Sequence, residues 1–219
     1  MDKQVIISYI PLFKDALLLT LKIGWIGISI SLLIGVLGAF LVHFKIPVLS
    51  GVVKIYIELF RNTPLLVQLF FIYFALPRFG VAIPAEVCGA IGLGLLGGSY
   101  MAEAFRAGLS AVPSSQTEGA MALGMNRIQI FFLVILPQAF IYSISAVVAN
   151  IIFLLKETSV FSAISLMDLM FTAKDLIGLY YKTTESLFLL VVFYIIMLLP
   201  VSIAGTVIEK KVRFSVFGE

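Results

Sequence analysis

Long apolar segments with few or no charged residues dominate the sequence. Residues 23–42 form a run of 20 positions without Asp, Glu, Lys or Arg, and a helix of that length crosses the roughly 30 Å hydrocarbon core at about 1.5 Å per residue. A charge at the bilayer centre costs several kcal/mol, so such runs mark membrane spans. We predict an all-α polytopic membrane protein with one membrane domain over residues 1–219 and five spans, at about 17–42, 52–76, 87–109, 128–155 and 186–208.

The composition agrees with a chain that lies almost entirely in a lipid bilayer. Hydrophobic residues make up 61% of the sequence and charged residues 12%, whereas a soluble domain has roughly 25% charged residues. The fifteen Lys and Arg residues stand mostly singly between apolar runs, which is typical of membrane flanks. These features exclude a soluble globular domain and favour contact with lipid, with no nucleic acid partner.

Residues suited to catalysis or metal binding are scarce. The sequence has one histidine, His43, and one cysteine, Cys88, too few for the usual zinc sites and for Ser–His or Cys–His catalysis. It also lacks the G-x-x-x-x-G-K-[ST] loop that cradles nucleotide phosphates. We therefore expect no catalytic residue, no metal site and no bound cofactor on this chain. A membrane-embedded enzyme would have only Ser–Lys chemistry available.

The distribution of positive charge favours one orientation in the membrane. Five spans place the termini on opposite sides, and a cytoplasmic C-terminus puts seven Lys and Arg residues inside against five outside. Lys210, Lys211 and Arg213 directly follow the last span, and cytoplasmic flanks are enriched in such residues. We expect the N-terminus outside, the C-terminus in the cytoplasm, and residues up to about Asp15 as a short segment at the membrane interface.

A short polar segment between the third and fourth spans predicts a separate helix. Pro113 stops a helix that arrives from the third span. Ser115 and Glu118 have the spacing of a capping box, and Gly124 suits the left-handed position after a helix end. These signals predict a helix over residues 116–123, on the cytoplasmic side in the chosen orientation.

The fourth span begins with a second capping pattern, Asn126 followed by Gln129. The short helix that precedes it is unstable alone in water and needs a surface to pack against. Two readings remain open from the residues alone: a connector that packs on its own subunit, or a helix that docks on another protein.

Polar residues inside or beside spans are the candidate substrate contacts, since intramembrane charges are often functional. In the second span, Glu58 and Arg61 lie three residues apart and can pair, and Pro64 disturbs the helix next to Asn62 and Thr63. A role in packing or gating is as well supported there as substrate contact.

A second polar site follows the fourth span. Asn150 lies within it, and Lys156, Glu157, Thr158 and Ser159 end it before a segment too polar to cross the membrane. A helix broken there would line a cavity. Lys156 and Glu157 supply one charge of each sign for a zwitterion, or they pair with each other and hold the break together.

Glycines crowd the third span. Gly94 and Gly98 have the G-x-x-x-G spacing that lets helices approach closely. The pattern is compatible with packing within the subunit or across a dimer.

The ordered motifs extend from about residue 20 to 209: Thr20-Leu21, Arg61 to Gln68, Tyr100 to Gly108, Gln116-x-Glu118, Ala120, Leu123-Gly124, Ile135 to Ala139 and Lys156 to Ser159. This series resembles the permease subunits of type I ABC importers, in particular those for histidine, glutamate, glutamine, arginine and similar polar amino acids in bacteria. One departure is Glu118-Gly119-Ala120, where the family usually has Glu-Ala-Ala; Gly there costs a helix roughly 0.5–1 kcal/mol relative to Ala.

The resemblance implies a mechanism and a set of partners. The short helix would be a coupling helix seated in a cytoplasmic ATP-binding subunit, through Gln116, Glu118, Gly119, Ala120, Leu123 and Gly124. The chain would form half of the translocation path, together with a second copy or a paralogue, in the inner membrane. Two ATP-binding subunits would hold ATP and Mg, and an extracytoplasmic binding protein would deliver the amino acid. The alternative is a channel or secondary transporter subunit that works without ATP.

Overall fold

The computed structural model describes the backbone of residues 1–217 and the side chains of residues 1–212. The Arg213 side chain, part of the predicted C-terminal charge cluster, lies outside the described residues. Within the described backbone the chain is helical, in agreement with the predicted all-α membrane fold. The helices are α1 (Lys3–His43), α2 (Leu49–Arg61), α3 (Leu65–Phe70), α4 (Ala85–Ala111), α5 (Ser114–Ala122), α6 (Arg127–Gln129), α7 (Leu136–Glu157), α8 (Leu169–Tyr180) and α9 (Thr183–Phe217).

In the part of the chain that the structure describes, four helical stretches are individually long and apolar enough to cross a membrane: Lys3–His43, Ala85–Ala111, Arg127–Ile164 and Thr183–Val212. The third of these continues from α6 through a π-helical segment, Ile130–Ile135, into α7 and a 3-10 segment, Thr158–Ile164. Residues before Asp15, expected as a separate interfacial segment, are the first turns of α1. Its 41 residues measure about 61 Å, twice the hydrocarbon thickness.

The second predicted span, 52–76, is not one straight helix, and this corrects the sequence-based expectation. Leu49–Arg61 and Leu65–Phe79 meet at an angle of 104° and count as a fifth span only as a bent pair. Pro64 causes the break because it has no N–H to continue the helical ladder, and its ψ of 142° turns the chain away from the helix. We call this break the elbow.

Helix α4 lies at the centre of the bundle. In its most apolar window 67% of the residues are buried, against 22% for the spans that contain α7 and α9. A Cβ at Gly94 would lie 2.6 Å from Ile30 Cγ2, and one at Gly98 would lie 2.7 Å from Ile34 Cγ2. The G-x-x-x-G pair therefore packs against α1 within the subunit.

The helix tightens into a 3-10 segment after α7 and breaks only at Ser165, later than the break predicted at Lys156 to Ser159. The 3-10 segment Thr158–Ile164 is followed by Ser165 in the left-handed conformation (φ 58°), and α8 starts four residues after Ser165. Asp168 caps α8 by accepting from the backbone N–H of Phe171 at 2.9 Å. The Leu169 N–H donates to Thr20 Oγ1 at 3.3 Å, which ties the start of α8 to α1.

Candidate substrate path and coupling helix

Arg61 ends α2 next to the elbow, and its side chain reaches α4. The guanidinium carbon lies 5.4 Å from the centre of the Tyr100 ring, within the range of a cation–π interaction. The predicted pair of Glu58 with Arg61 does not occur among the ion pairs of the described residues. Instead a Glu58 carboxylate oxygen accepts from Asn62 Nδ2 at 3.2 Å.

Asn150 of α7 reaches the same point of α4. Its Nδ2 donates to the backbone carbonyl of Tyr100 at 3.3 Å, and the Phe153 ring centre lies 5.2 Å from that of Tyr100. Two predicted path residues, Arg61 and Asn150, are thus brought together on Tyr100 by three helices. One turn further along α4, Glu103 forms an ion pair with Arg106.

Lys156 and Glu157, expected to act together, point in different directions. Glu157 stands seven residues after Asn150 and so shares its face of α7, where it is partly buried. Lys156 is exposed and lines a cleft of about 550 Å³ between α7 and α9, beside Tyr194. Neither belongs to an ion pair within the described residues, so the alternative in which they pair is wrong.

The other predicted path residues lie at the elbow and at the end of α7. Thr63 Oγ1 donates to the Leu59 carbonyl at 2.7 Å and Asn62 Nδ2 to the Glu58 carbonyl at 2.7 Å, both at the end of α2. Thr158 is fully buried, and its hydroxyl donates to the Leu155 carbonyl at 2.7 Å. The carbonyl of Ser159 accepts from Ser162 Oγ at 3.2 Å. These hydrogen bonds all go to backbone carbonyls at or near the two breaks.

The predicted short helix exists as α5, but it begins earlier than expected. It runs over Ser114–Ala122 with Pro113 at its N-cap and no side-chain cap, so the predicted Ser115–Glu118 capping box is wrong. Because Pro113 already holds the extended conformation (φ −61°, ψ 142°) that precedes a helix, the first turn starts directly after it. The left-handed conformation predicted for Gly124, after the end of the helix, is confirmed by its φ of 77°.

Most of the surface of α5 is exposed. Ala120 is buried against the bundle, whereas Gln116, Glu118, Gly119, Leu123 and Gly124 are exposed, and Leu123 exposes 83% of its surface. Gln138 Nε2 of α7 donates to Gln116 Oε1 at 3.3 Å, and so fastens the start of α5. The predicted capping box that opens α6 is present, with reciprocal 2.9 Å hydrogen bonds between Asn126 and Gln129.

Sequence reasoning did not include Tyr100 or Gln68 among the candidate site residues. Tyr100 opens the motif Tyr100 to Gly108, but an aromatic residue in an apolar helix does not by itself indicate a site. Gln68 is a buried amide. An amide residue within an apolar span is the sequence signal that could have identified it. Within the described residues, no group of three or more His, Cys, Asp and Glu side chains is arranged to hold a metal ion.

This bundle, with a bent second span and an exposed helix between the third and fourth spans, has the permease fold of type I ABC importers. The family model described as "Binding-protein-dependent transport system inner membrane component" matches residues 27–214. The chain belongs to this family, and is a multi-pass membrane permease of an ATP-driven importer.

Individual relatives and solved structures agree with this membership. The chain is 30% identical over 214 residues to the arginine transport system permease protein ArtQ of Bacillus subtilis, covering 97% of this chain and 98% of that protein. It is 33% identical over 212 residues to the probable amino-acid permease protein YxeN of the same organism, covering 95% of each chain.

Among solved structures, an amino acid ABC transporter with histidines matches with a TM-score of 0.90 and 34% identity, over 96% of this chain and 99% of that chain. An inward-facing form of the MetNI methionine ABC transporter matches with a TM-score of 0.79 at 20% identity, over 97% of this chain and 99% of that chain. This last likeness concerns the fold alone.

Proposed function

We propose that this chain is the permease subunit of an importer for polar amino acids and that two permeases, identical or paralogous, enclose the path between them. The observation that carries the proposal is the exposed Arg61 at a break within a span. A charge facing lipid there would cost several kcal/mol, so such residues face a bundle interior or a water-filled cavity. A second permease against this face supplies that interior.

The face around Tyr100 offers complementary groups to a zwitterion. Arg61 is a cation for the substrate carboxylate, and Glu157, two turns along α7 from Asn150, is an anion for the ammonium group. The Tyr100 and Phe153 rings, 5.2 Å apart, give the apolar part of the substrate a surface. Asn62, Thr63, Thr158 and Ser159 shape this path by fixing its two breaks. Lys156, at the mouth of the neighbouring cleft, attracts the substrate carboxylate on entry.

Helix α5 is the coupling helix. Its exposed residues Gln116, Glu118, Gly119, Leu123 and Gly124 meet a cytoplasmic ATP-binding subunit, and Ala120 anchors it to the bundle. The ATP-binding pair holds ATP and Mg, and its closure moves α5 against the spans. This chain itself is non-catalytic.

The orientation places the N-terminus outside and the C-terminus in the cytoplasm. The Asp2 N–H donates to Glu185 Oε1 at 2.9 Å, which holds the N-terminus and the start of α9 on one side of the bundle. Lys210 and Lys211 follow the last span and favour the cytoplasm there. An extracytoplasmic binding protein then delivers substrate to the end that carries α8.

Purification of the native complex, followed by reconstitution in liposomes, tests this function. We expect two ATP-binding subunits to co-purify, and uptake of radiolabelled polar amino acids to require ATP and the binding protein. Uptake that continues without ATP would favour the alternative of a channel or secondary transporter. A complex that contains no ATP-binding protein would contradict the proposal.

A further inference from the structure

The elbow leaves backbone carbonyls at the end of α2 without helical partners. Pro64 carries no N–H, and the next helix begins only at Leu65, so the donors that a continuous helix would supply are missing. In the hydrocarbon region each unsatisfied backbone group costs several kcal/mol. Side chains must replace those donors. Thr63, just after α2, donates to the Leu59 carbonyl, whereas Asn62 donates to the Glu58 carbonyl, which already accepts from the Asn62 backbone N–H.

Gln68 is the residue that reaches back across the elbow from α3. Its Nε2 donates to the Phe60 carbonyl at 3.1 Å and to the Thr63 carbonyl at 2.9 Å. The side chain therefore joins the two arms of the bent span with two hydrogen bonds, one to each side of the Arg61–Asn62 pair.

The surroundings of Gln68 suit a glutamine side chain better than similar side chains. The residue is 7% exposed, and its Oε1 is buried without a hydrogen-bond partner in the described structure. Because both carbonyls require donors, the amide has one usable orientation, and the oxygen must point away from the elbow. Glutamate lacks the donors, asparagine is one methylene shorter, and methionine fills the space without any polar atom.

The two hydrogen bonds from Gln68 to the Phe60 and Thr63 carbonyls, which we call the Gln68 bridge, also determine where Arg61 points. Phe60 precedes Arg61, and Thr63 follows it by two residues, so hydrogen bonds to both carbonyls fix the last turn of α2 relative to α3. From that turn the guanidinium reaches the Tyr100 ring at 5.4 Å. We propose that Gln68 is a positioning residue of the substrate path, which holds the elbow at the angle that places Arg61 over Tyr100. This inference rests on the proposed role of Arg61 in that path.

Transport kinetics of the assembled importer test the proposal. We expect Gln68→Met to raise the KM for the transported amino acid about tenfold, the effect of losing one to two hydrogen bonds, while kcat stays within about twofold. The exposed neighbour Val67, changed to Met, is the matched control and leaves KM unchanged. In an Arg61→Ala background Gln68→Met adds nothing further, because the positioning residue acts through Arg61. Additive effects, or reduced abundance with an unchanged KM, would overturn the proposal.

A distance measurement tests the geometry of the elbow independently of transport. Spin labels on Ile55→Cys and Phe74→Cys, exposed positions on the two arms, with Cys88→Ser as background, should give a shifted or broader distance distribution in Gln68→Met. An unchanged distribution would contradict the claim that the Gln68 hydrogen bonds hold the elbow at its angle. A changed distribution together with an Arg61→Ala variant of normal KM would instead contradict the substrate path, and leave Gln68 as the residue that fixes the elbow.

Discussion

Gly108 of α4 lies directly against Ala139 of α7: a Cβ at Gly108 would sit 2.5 Å from the Ala139 carbonyl oxygen, besides clashing with the Ser143 hydroxyl. Backbone cannot yield as a side-chain end can, so the two helices must separate to admit even a methyl group. We expect Gly108→Ala to lower the free energy of unfolding by about 1–3 kcal/mol. Thermal unfolding in detergent would show a lower midpoint.

Gly119→Ala is the matched control for that substitution. A Cβ at Gly119 meets nothing within 4 Å, and alanine favours a helix over glycine by roughly 0.5–1 kcal/mol. The unfolding midpoint of this variant should stay the same or rise. Equal losses in both variants would refute close α4–α7 packing as the cause.

Charge reversal at Glu118 should uncouple ATP hydrolysis from uptake. Glu118 is exposed on α5, so Glu118→Lys leaves the membrane bundle intact but alters the surface offered to the ATP-binding subunit. We expect uptake to fall about tenfold or more, as for loss of a charged contact at an interface, with normal amounts of the protein in the membrane. Glu118→Gln, which keeps length and polarity, should lose less. Normal uptake by Glu118→Lys would count against the coupling role.

Glu157 and Lys156 should differ in their effect on uptake although they are neighbours in sequence. Glu157 shares a face of α7 with Asn150, whereas Lys156 lines the cleft towards α9. Loss of a charge-assisted contact in Glu157→Gln should raise KM about 10- to 100-fold; Lys156→Gln should raise it less than tenfold. Uptake at several substrate concentrations, normalised to protein abundance, measures both. If Glu157→Gln lowers uptake and abundance equally, its role is structural.

The stability of the protein should depend on pH through Asp168. Burial raises the pKa of this carboxyl, which lies outside the five spans, to about 6, although its N-cap hydrogen bonds act in the opposite direction. The folded state therefore holds the proton more tightly than the unfolded state, so this contribution to stability is lost as pH rises from about 4 through about 6 and does not change further at higher pH.

Asp168→Asn removes this titration and retains a good N-cap residue. Relative to the unmodified protein, the variant should gain roughly 2 kcal/mol between pH 4.5 and 7.5. Unfolding midpoints in detergent across that range provide the measurement. A stability difference that is independent of pH would show that ionisation of Asp168 is not the cause.

Much of the architecture is predictable because the bilayer imposes it. Charge-free runs identify the spans, since few other structures bury so many apolar residues in sequence. Pro113 and Gly124 bracket α5 because proline fixes φ before the helix and glycine readily adopts the left-handed conformation after it. The elbow is different: Pro64 signals a disturbance, but a 104° bend depends on the buried Gln68 bridge and on packing against α4, which no local rule describes.

The candidate site likewise contains residues that the sequence identifies and one that only the structure identifies. Arg61, Asn150 and Glu157 are visible in the sequence because polar groups are costly inside a membrane. Tyr100, the residue on which Arg61 and Asn150 meet, carries no such signal, and only the three-dimensional arrangement of α2, α4 and α7 identifies it. Likewise, the adjacency of Lys156 and Glu157 in sequence suggested a joint role, which the 100° turn between successive helical residues prevents.

Only Val112 and Pro113 separate the end of α4 from the start of α5. Pro113 is stiff because its ring fixes φ, so this connection has almost no slack. Among the candidate spans of the described residues, α4 is also the most buried. In the proposed coupling role, a movement of α5 would therefore reach α4 at the centre of the bundle first, and the outer helices only through α4.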